Sequence, residues 1–441
     1  MKKKLICILV CSILISTIIP FGINATVIYN PLDGGWMEEI DGITVLHVSG
    51  TYYEMGYQHG YFLKDEIQAN TRMLTDFFNT AGFPYETLLH NWNIMKTYAP
   101  NNYIMEIQGI ADGSGIPLEE IGVFNILHDT ANLMHCCGAI LWNDATINGE
   151  LIHVRSGDLS VNIYDPISGT YFQENQVMLV HKPNDGFASM SPTWCGGAGT
   201  YGGINEKGIG VGETTCWTNE TTLEGTCASF RMGEVLDTAN NALRALQIMD
   251  SNKTCGWDLF ISDGNEPIGY VLEQTMNRSY ICTWDDPEES NDPFWKIDYV
   301  IRRGNCFLSK TCASTQRKRY DPSGVSGLFD FVTGQNAYFL IWNHYKALSK
   351  GIEKGWGSFD LNGTMDMLRE VYSGKTDPIY HLLSVFIFPP QPIQQWVACP
   401  ITGEMVVSFA SSDKIASECP VHYFNLFKLI EKSIPEPIRI S

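Results

Sequence analysis

The stretch Cys136-Cys-Gly-Ala-Ile-Leu-Trp142-Asn-Asp-Ala-Thr146-Ile-Asn148-Gly149-Glu-Leu-Ile-His-Val-Arg155-Ser-Gly-Asp158 carries two apolar runs on either side of Asn-Gly. Asn-Gly is the strongest short-range hairpin signal, because both central residues of the favoured turn need a positive φ. A two-residue turn centred there sets Trp142 opposite Arg155. It also puts Cys136 at the far end of the first strand, on the face that carries Arg155. Asp158 stands three residues past Arg155 and would point the other way in a regular strand. A bulge at Ser156-Gly157 would return it to the face of Cys136. One surface then gathers a thiol, a guanidinium and a carboxylate. A nearby cation lowers a thiol's pKa and enlarges its thiolate fraction, and a carboxylate can orient either group. A plain ion pair between Arg155 and Asp158, beside a disulfide-bonded Cys136-Cys137 region, fits the same spacing.

The flanks alternate between helix and strand patterns. Gly50-Thr-Tyr-Tyr-Glu-Met-Gly56-Tyr-Gln-His-Gly60 opens an amphipathic helix through Leu63, Ile67 and Met73, and Pro117-Leu-Glu-Glu-Ile121 starts another running towards residue 134. Residues 26–135 are therefore expected to be mainly helical after an initial strand. Beyond the hairpin, Tyr171 to Lys182, Gly202 to Gly212, Trp257 to Ser262 and Ile268 to Glu273 read as strands. Val235, Leu236, Ala239, Leu243 and Leu246 recur at helical spacing, which predicts one helix from Met232 to Met249. Trp396 to Cys399 and Met405 to Phe409 flank Thr402-Gly403 as a second hairpin, and His422 to Ile430 is expected as a closing helix. Long antiparallel strands with helices that must bury a face indicate a layered α+β sandwich. With no repeat, low-complexity tract or linker after residue 25, residues 26–441 are expected to form one unit.

Of 441 residues, 44% are hydrophobic and 18% charged, a globular composition. Lys and Arg number 29 against 49 Asp and Glu, and the resulting charge of −20 argues against a nucleic-acid partner. Residues 1–25 read as a secretory signal: three lysines, the apolar run Leu5 to Ile19, and cleavage expected near Ala25. The run is shorter than the ~20 residues needed to cross a bilayer, so no stable membrane span is expected after its removal. Asn219, Asn252, Asn277 and Asn362 each open a glycosylation sequon. An extracellular or lysosomal glycoprotein is the expected product. Eleven cysteines remain after the signal, an odd number. In an oxidising compartment at least one thiol then lacks an intrachain partner and is a candidate nucleophile. There is no C-x-x-C pair and no H-E-x-x-H, so neither a metal site nor a cofactor is expected.

The quoted stretch also resembles the nucleophile region of the penicillin acyltransferase-like cysteine N-terminal-nucleophile (Ntn) hydrolases. In that family a Cys followed by a small residue, a strand, A-T-x-x-G and R-x-x-D recur in this order. Here Cys137 stands where the small residue would be. Gly50 to Gly60, Gly109-Ile-Ala-Asp-Gly-Ser-Gly115, Gly203-Ile-Asn-Glu-Lys-Gly208, Gly256-Trp257-Asp258 through Asp263 with Glu273, and Gly304-Asn305-Cys306-Phe307 look like family segments in family order. The resemblance spans most of residues 40–430.

It implies a four-layer αββα sandwich, with two antiparallel sheets between helical layers. It also implies a precursor that cuts itself between His135 and Cys136, giving fragments 26–135 and 136–441 that stay associated. Cys136 would attack an acyl amide, with its new α-amine as base, and pass through a thioester. The chain would then be an amidohydrolase or acyltransferase acting on a small acyl compound. Arg155 and Asp158 match R-x-x-D, and Asn305 matches a family Asn whose amide donates to the oxyanion, although Cys306 replaces the following His. Arg319 resembles a family Arg near the site, with Arg317 almost as good a match. Thr215 stands near a family Asn and offers a hydroxyl, and Trp142 is an aromatic candidate for an acyl pocket. Cys136 is preferred to Cys137 because it lies ten residues before Thr146 and shares the face of Arg155. Two other readings remain open here: a secreted binding protein of this fold without chemistry, and a cysteine enzyme with a separate histidine base.

Overall fold

The computed structural model describes residues 26–32, 34–131, 135–316, 338–386, 391–412 and 414–433. The signal region and the candidates Arg317 and Arg319 lie outside the described residues. Strands in chain order are β1 (Thr26–Leu32), β2 (Gly35–Ile40), β3 (Ile43–Gly50), β4 (His135–Asn143), β5 (Gly149–Asp158), β6 (Tyr164–Asp165), β7 (Thr170–Tyr171), β8 (Gln176–Pro183) and β9 (Ser189–Trp194). They continue with β10 (Gly202–Asn205), β11 (Ile209–Thr215), β12 (Trp257–Asp263), β13 (Ile268–Gln274), β14 (Ser279–Cys282), β15 (Val300–Gly304), β16 (Pro392–Cys399), β17 (Glu404–Phe409) and β18 (His422–Asn425).

The expected central hairpin forms, with a wider loop and a different register. Gly138 lies opposite Arg155, Cys137 opposite Ser156 and Cys136 opposite Gly157. Thr146 decides this: its hydroxyl donates to the carbonyls of Asn143 (3.1 Å) and Glu150 (2.9 Å), folding residues 144–148 into the connection. Left-handed conformations fall at Asn143 (φ 48°) and Gly149 (φ 73°), on either side of that loop. Trp142 therefore does not face Arg155. Nor does β5 bulge at Ser156-Gly157. The register shift lies across from it in β16, between Pro392 and Gln394.

Around this hairpin two sheets assemble. One runs β15-β4-β5-β16-β17-β18 and is antiparallel throughout. The other runs β1-β2-β3-β8-β9-β10-β11-β12-β13-β14 and is antiparallel except where β3 lies parallel to β8. Their facing surfaces share a core in which Val45, Met178, Val180 and Ile204 meet Trp396, Ala398 and Val407. Burial of apolar surface from both sheets at ~25 cal/mol per Å2 holds the two layers together.

Helices cover both outer faces. Helices α1 (Tyr52–Phe62), α2 (Lys64–Thr80), α3 (Tyr85–Met95), α4 (Asn101–Ser114) and α5 (Leu118–Ala131) share one core with Leu46, Val48 and Leu179 of the larger sheet. On the same sheet, α6 (Ala228–Thr238) and α7 (Ala242–Met249) bury Met232, Val235 and Ile248 against Val211, Leu259 and Ile261. Helices Tyr338–Gly355 and Leu361–Tyr372 bury Leu348, Ile352, Leu368 and Val371 against Ala139, Leu141, Val154 and Val397 of the smaller sheet. The expected four-layer αββα sandwich is the architecture observed.

Helices α1 and α4 approach backbone to backbone. A Cβ added at Gly56 would sit 2.1 Å from the Glu106 carbonyl oxygen, and one at Gly109 would sit 2.2 Å from that of Tyr53. Gly60 and Gly113 repeat the pattern one turn on, at 2.3 Å from the carbonyl oxygens of Ile110 and Tyr57.

Several expectations are corrected. The described residues of 26–135 hold three strands before their helices, where one was expected. The single helix predicted over 232–249 is two, because Asn241 caps a new start by accepting from the Arg244 N–H. His422–Asn425 pairs with β17 as a strand, leaving a helix only over Leu426–Ile430. The eleven cysteines from Cys136 to Cys419 are all buried and form no disulfide bond, against the disulfides expected from sequence. The four sequon asparagines are exposed.

Candidate active site

Strand alternation sorts the residues of β4 and β5 onto two faces. Ile140 and Trp142 pack between the sheets against Phe260 and Val271, so Cys136 and Gly138, of the same parity, share that inner face. Cys137, Ala139 and Leu141 pack outward on the helices. On β5 the inner face carries His153, Arg155 and Gly157, and the outer face carries Ser156 and Asp158. Gly157 gives the Arg155 side chain its place. A Cβ there would stand 2.9 Å from Nη1 and 3.2 Å from Nη2, where the guanidinium now lies beside Cys136.

Three segments bring side chains to Cys136. Arg155 Nη2, from β5, lies 3.9 Å from Cys136 Sγ and pairs directly with Glu213 of β11. Its Nη1 donates to Gln394 Oε1 at 3.3 Å. The thiol meets both Glu213 carboxylate oxygens, at 3.8 and 3.9 Å. The Cys136 backbone N–H donates to Asn305 Oδ1 at 3.0 Å, just past β15. Asn305 Nδ2 in turn donates to the Thr215 carbonyl (2.9 Å) and hydroxyl (3.1 Å). The site thus spans the two sheets, with Cys136 and Arg155 from one and Glu213 and Thr215 from the other.

All of these groups are buried, with Cys136 at 0% exposure and Arg155 and Glu213 at 1%. Burial first, and Glu213 second, push the Cys136 thiol well above its usual range, while Arg155 acts the other way. Burial also pushes Glu213 up, against the pull of Arg155. Burial opposes the charge on Arg155, but Glu213 and the neighbouring acids more than offset it. The site therefore holds a thiol whose neutral form is favoured, beside a buried ion pair. Removing one partner of such a pair costs about 3–5 kcal/mol.

Asp158 is near this group yet on the other side of the sheet. It lies opposite His135 in the ladder and accepts from Tyr372 Oη (2.9 and 3.1 Å) and Ser156 Oγ (3.2 Å). Burial pushes its carboxyl up to about 7, although those two hydrogen bonds and Arg155 pull it down. The expected single surface of thiol, guanidinium and carboxylate is thus split, because β5 is regular where a bulge was expected. Cys137 lies on the Asp158 side, with Sγ 3.7 Å from Tyr372 Oη.

Trp142 is a core residue between the sheets, six positions along β4 from Cys136, and about 20 Å away at the usual rise. It does not line an acyl pocket beside the thiol. His153 contacts Ser262 Oγ at 2.8 Å through Nδ1, and His135 lies edge-on to Trp217. Sequence reasoning missed Glu213 and Tyr372. Glu213 left a trace, as a lone acid at the end of the Gly-rich run Gly208-Ile-Gly-Val-Gly-Glu213. Tyr372 left none. No group of three or more metal-ligating side chains occurs among the described residues.

No protein-family model matches the chain. Among curated proteins, it is 23% identical over 268 residues to protein dcd1B of Dictyostelium discoideum, covering 54% of this chain and 52% of that one. It is 24% identical over 280 residues to protein dcd1A of the same organism, covering 55% and 60%. The chain therefore spans roughly half to three-fifths of the length of these relatives. Solved structures that align with it include a Caenorhabditis elegans N-acylethanolamine-hydrolyzing acid amidase ortholog, with TM-score 0.38, 12% identity, and 60% and 93% of the two chains covered. Penicillin V acylase from Agrobacterium tumefaciens aligns with TM-score 0.37, 10% identity, and 66% and 87% covered.

Proposed function

We propose that this chain is a cysteine amide hydrolase that activates itself by cutting between His135 and Cys136. One observation carries the reading: the sulfur and the backbone nitrogen of the same residue are both held by site side chains. Sγ meets Arg155 and Glu213, and N meets Asn305. Such double recognition serves a residue whose nitrogen becomes an amine. An α-amine has an ordinary pKa of about 7.7–8.0, suited to a base near neutral pH.

In the cut form, the α-amine takes the thiol proton and Sγ attacks the acyl carbonyl of a small amide. The amine product leaves, and water resolves the thioester. Arg155 stabilises the thiolate. Asn305, held by Thr215 in the uncut chain, turns its amide to the oxyanion only by releasing that residue. Asp158 positions the end of β5 beside the cut rather than touching the thiol. With Cys136 fully buried in the uncut chain, an acyl group gains access when the new strand end moves. Fragments 26–135 and 136–441 stay together because Leu127, Ile126 and Leu46 share a core with Leu179 and Trp194. The exposed sequons and the leading apolar run support passage through the secretory route.

The test is turnover of acyl 4-nitroanilides graded in chain length, by purified wild type and Cys136→Ala. At least ~100-fold loss in the variant, with an acyl adduct on Cys136 by mass in the wild type, is expected. Equal turnover of any hydrolysed amide by both proteins would remove Cys136 from the chemistry.

A further inference from the structure

Before any cut, the nucleophile has no amine. The Cys136 nitrogen belongs to the peptide bond with His135, and its N–H is donated to Asn305. An amide nitrogen is not a base at neutral pH, so the α-amine that serves later turnovers cannot serve the first cut. The thiol proton needs another acceptor at that moment. Two side chains hydrogen-bond Sγ among the described residues, Arg155 and Glu213. A guanidinium has no acceptor to offer. Resting on the self-activation reading above, we propose that Glu213 is the general base of the first cut, taking the Cys136 thiol proton as Sγ attacks the His135 carbonyl carbon.

The step balances without any further reagent except water. The proton passes from Sγ to a Glu213 oxygen while the S–C bond forms and the His135 carbonyl becomes a tetrahedral oxyanion. The C–N bond then breaks, and Glu213 returns the proton to the departing nitrogen. This leaves a thioester between His135 and Cys136 Sγ together with a free α-amine. One water adds to the thioester carbonyl, the S–C bond breaks, and the products are a His135 carboxyl group and the Cys136 thiol.

The surroundings of Glu213 suit this work. Arg155 from β5 and Cys136 from β4 face it in direct contact. Asp129 from α5 and Tyr201, just before β10, interact with it electrostatically. Burial and Asp129 make the carboxylate a stronger base than one in water, and the Arg155 contact favours its ionised form beside the thiol. Once the α-amine exists, Glu213 is no longer the sole acceptor at the thiol among the described residues.

The experiment follows cleavage of the full chain during cell-free synthesis, from pH 5 to 9, for wild type, Glu213→Gln, Glu213→Asp and Glu213→Ala. Glu213→Gln should slow the cut at least ~100-fold, within the range for loss of a general base. Glu213→Asp should keep part of the rate. Added formate should restore Glu213→Ala in a saturable way, with the acid limb of its pH profile moved towards formate's own titration. Cleavage of Glu213→Gln within threefold of wild type, with the same acid limb, overturns the proposal alone. Slow cleavage that neither aspartate nor formate restores also overturns it, because the carboxylate would then be structural. A wild type that never cuts overturns the self-activation reading and this inference together.

Discussion

At the residue scale, Gly157 and Glu213 contrast in what a sequence can reveal. Cys136 and Arg155 were legible because order along two paired strands fixes their common face, and a register error of even number leaves parity intact. Asp158 was misplaced because a bulge beside a Gly is locally plausible, and only the pairing with β16 shows where the irregularity falls. Glu213 was hidden because its contact joins two sheets across 58 residues of sequence separation from Arg155. Gly157 leads to a prediction at this scale. Gly157→Ala puts a Cβ where the guanidinium lies, so Arg155 must move from Cys136. The cut at His135-Cys136 is expected to slow by at least ~10-fold, while stability falls by only about 1–3 kcal/mol. Time courses of cleavage together with urea unfolding check this. Unchanged cleavage would show that the Arg155 contact with the thiol is dispensable.

Elements carry the next level of specification. The strands of the central hairpin and β12-β13 were readable from their runs of apolar and β-branched residues. The break between α6 and α7 was not, because helical spacing continues across it and only the Asn241 cap marks the interruption. The strand at His422–Asn425 was hidden for the opposite reason: its ladder partner β17, not its own sequence, makes it extended. The helix pair α1 and α4 shows a third case, in which glycines flagged as motif residues turn out to be a packing device. Gly109→Ala should force these helices apart, because the new methyl carbon would lie 2.2 Å from a backbone oxygen that cannot turn aside. A loss of about 3 kcal/mol or more, near the upper end of overpacking costs, is expected from the urea midpoint. A loss under about 1 kcal/mol would mean that α1 and α4 adjust freely.

At the scale of the whole molecule, the layers explain why the candidate site is where it is. The thiol lies at the head of a central strand in the smaller sheet, and Glu213 and Thr215 reach it from the larger one. Helix α5 leads the chain towards His135. Layer order was legible from the alternation of strand and helix patterns, together with the family resemblance. The face-to-face convergence at Cys136 was not, because it depends on how two sheets of ten and six strands stack. Under the proposed function, this arrangement cuts the chain at a single bond. Intact mass and N-terminal sequencing of the purified wild type beside Cys136→Ala test it most directly. A wild-type fragment beginning at Cys136, still bound to its N-terminal partner, and an uncut chain in the variant are expected. A wild type that stays whole, or a fragment beginning at residue 136 in both proteins, would contradict it.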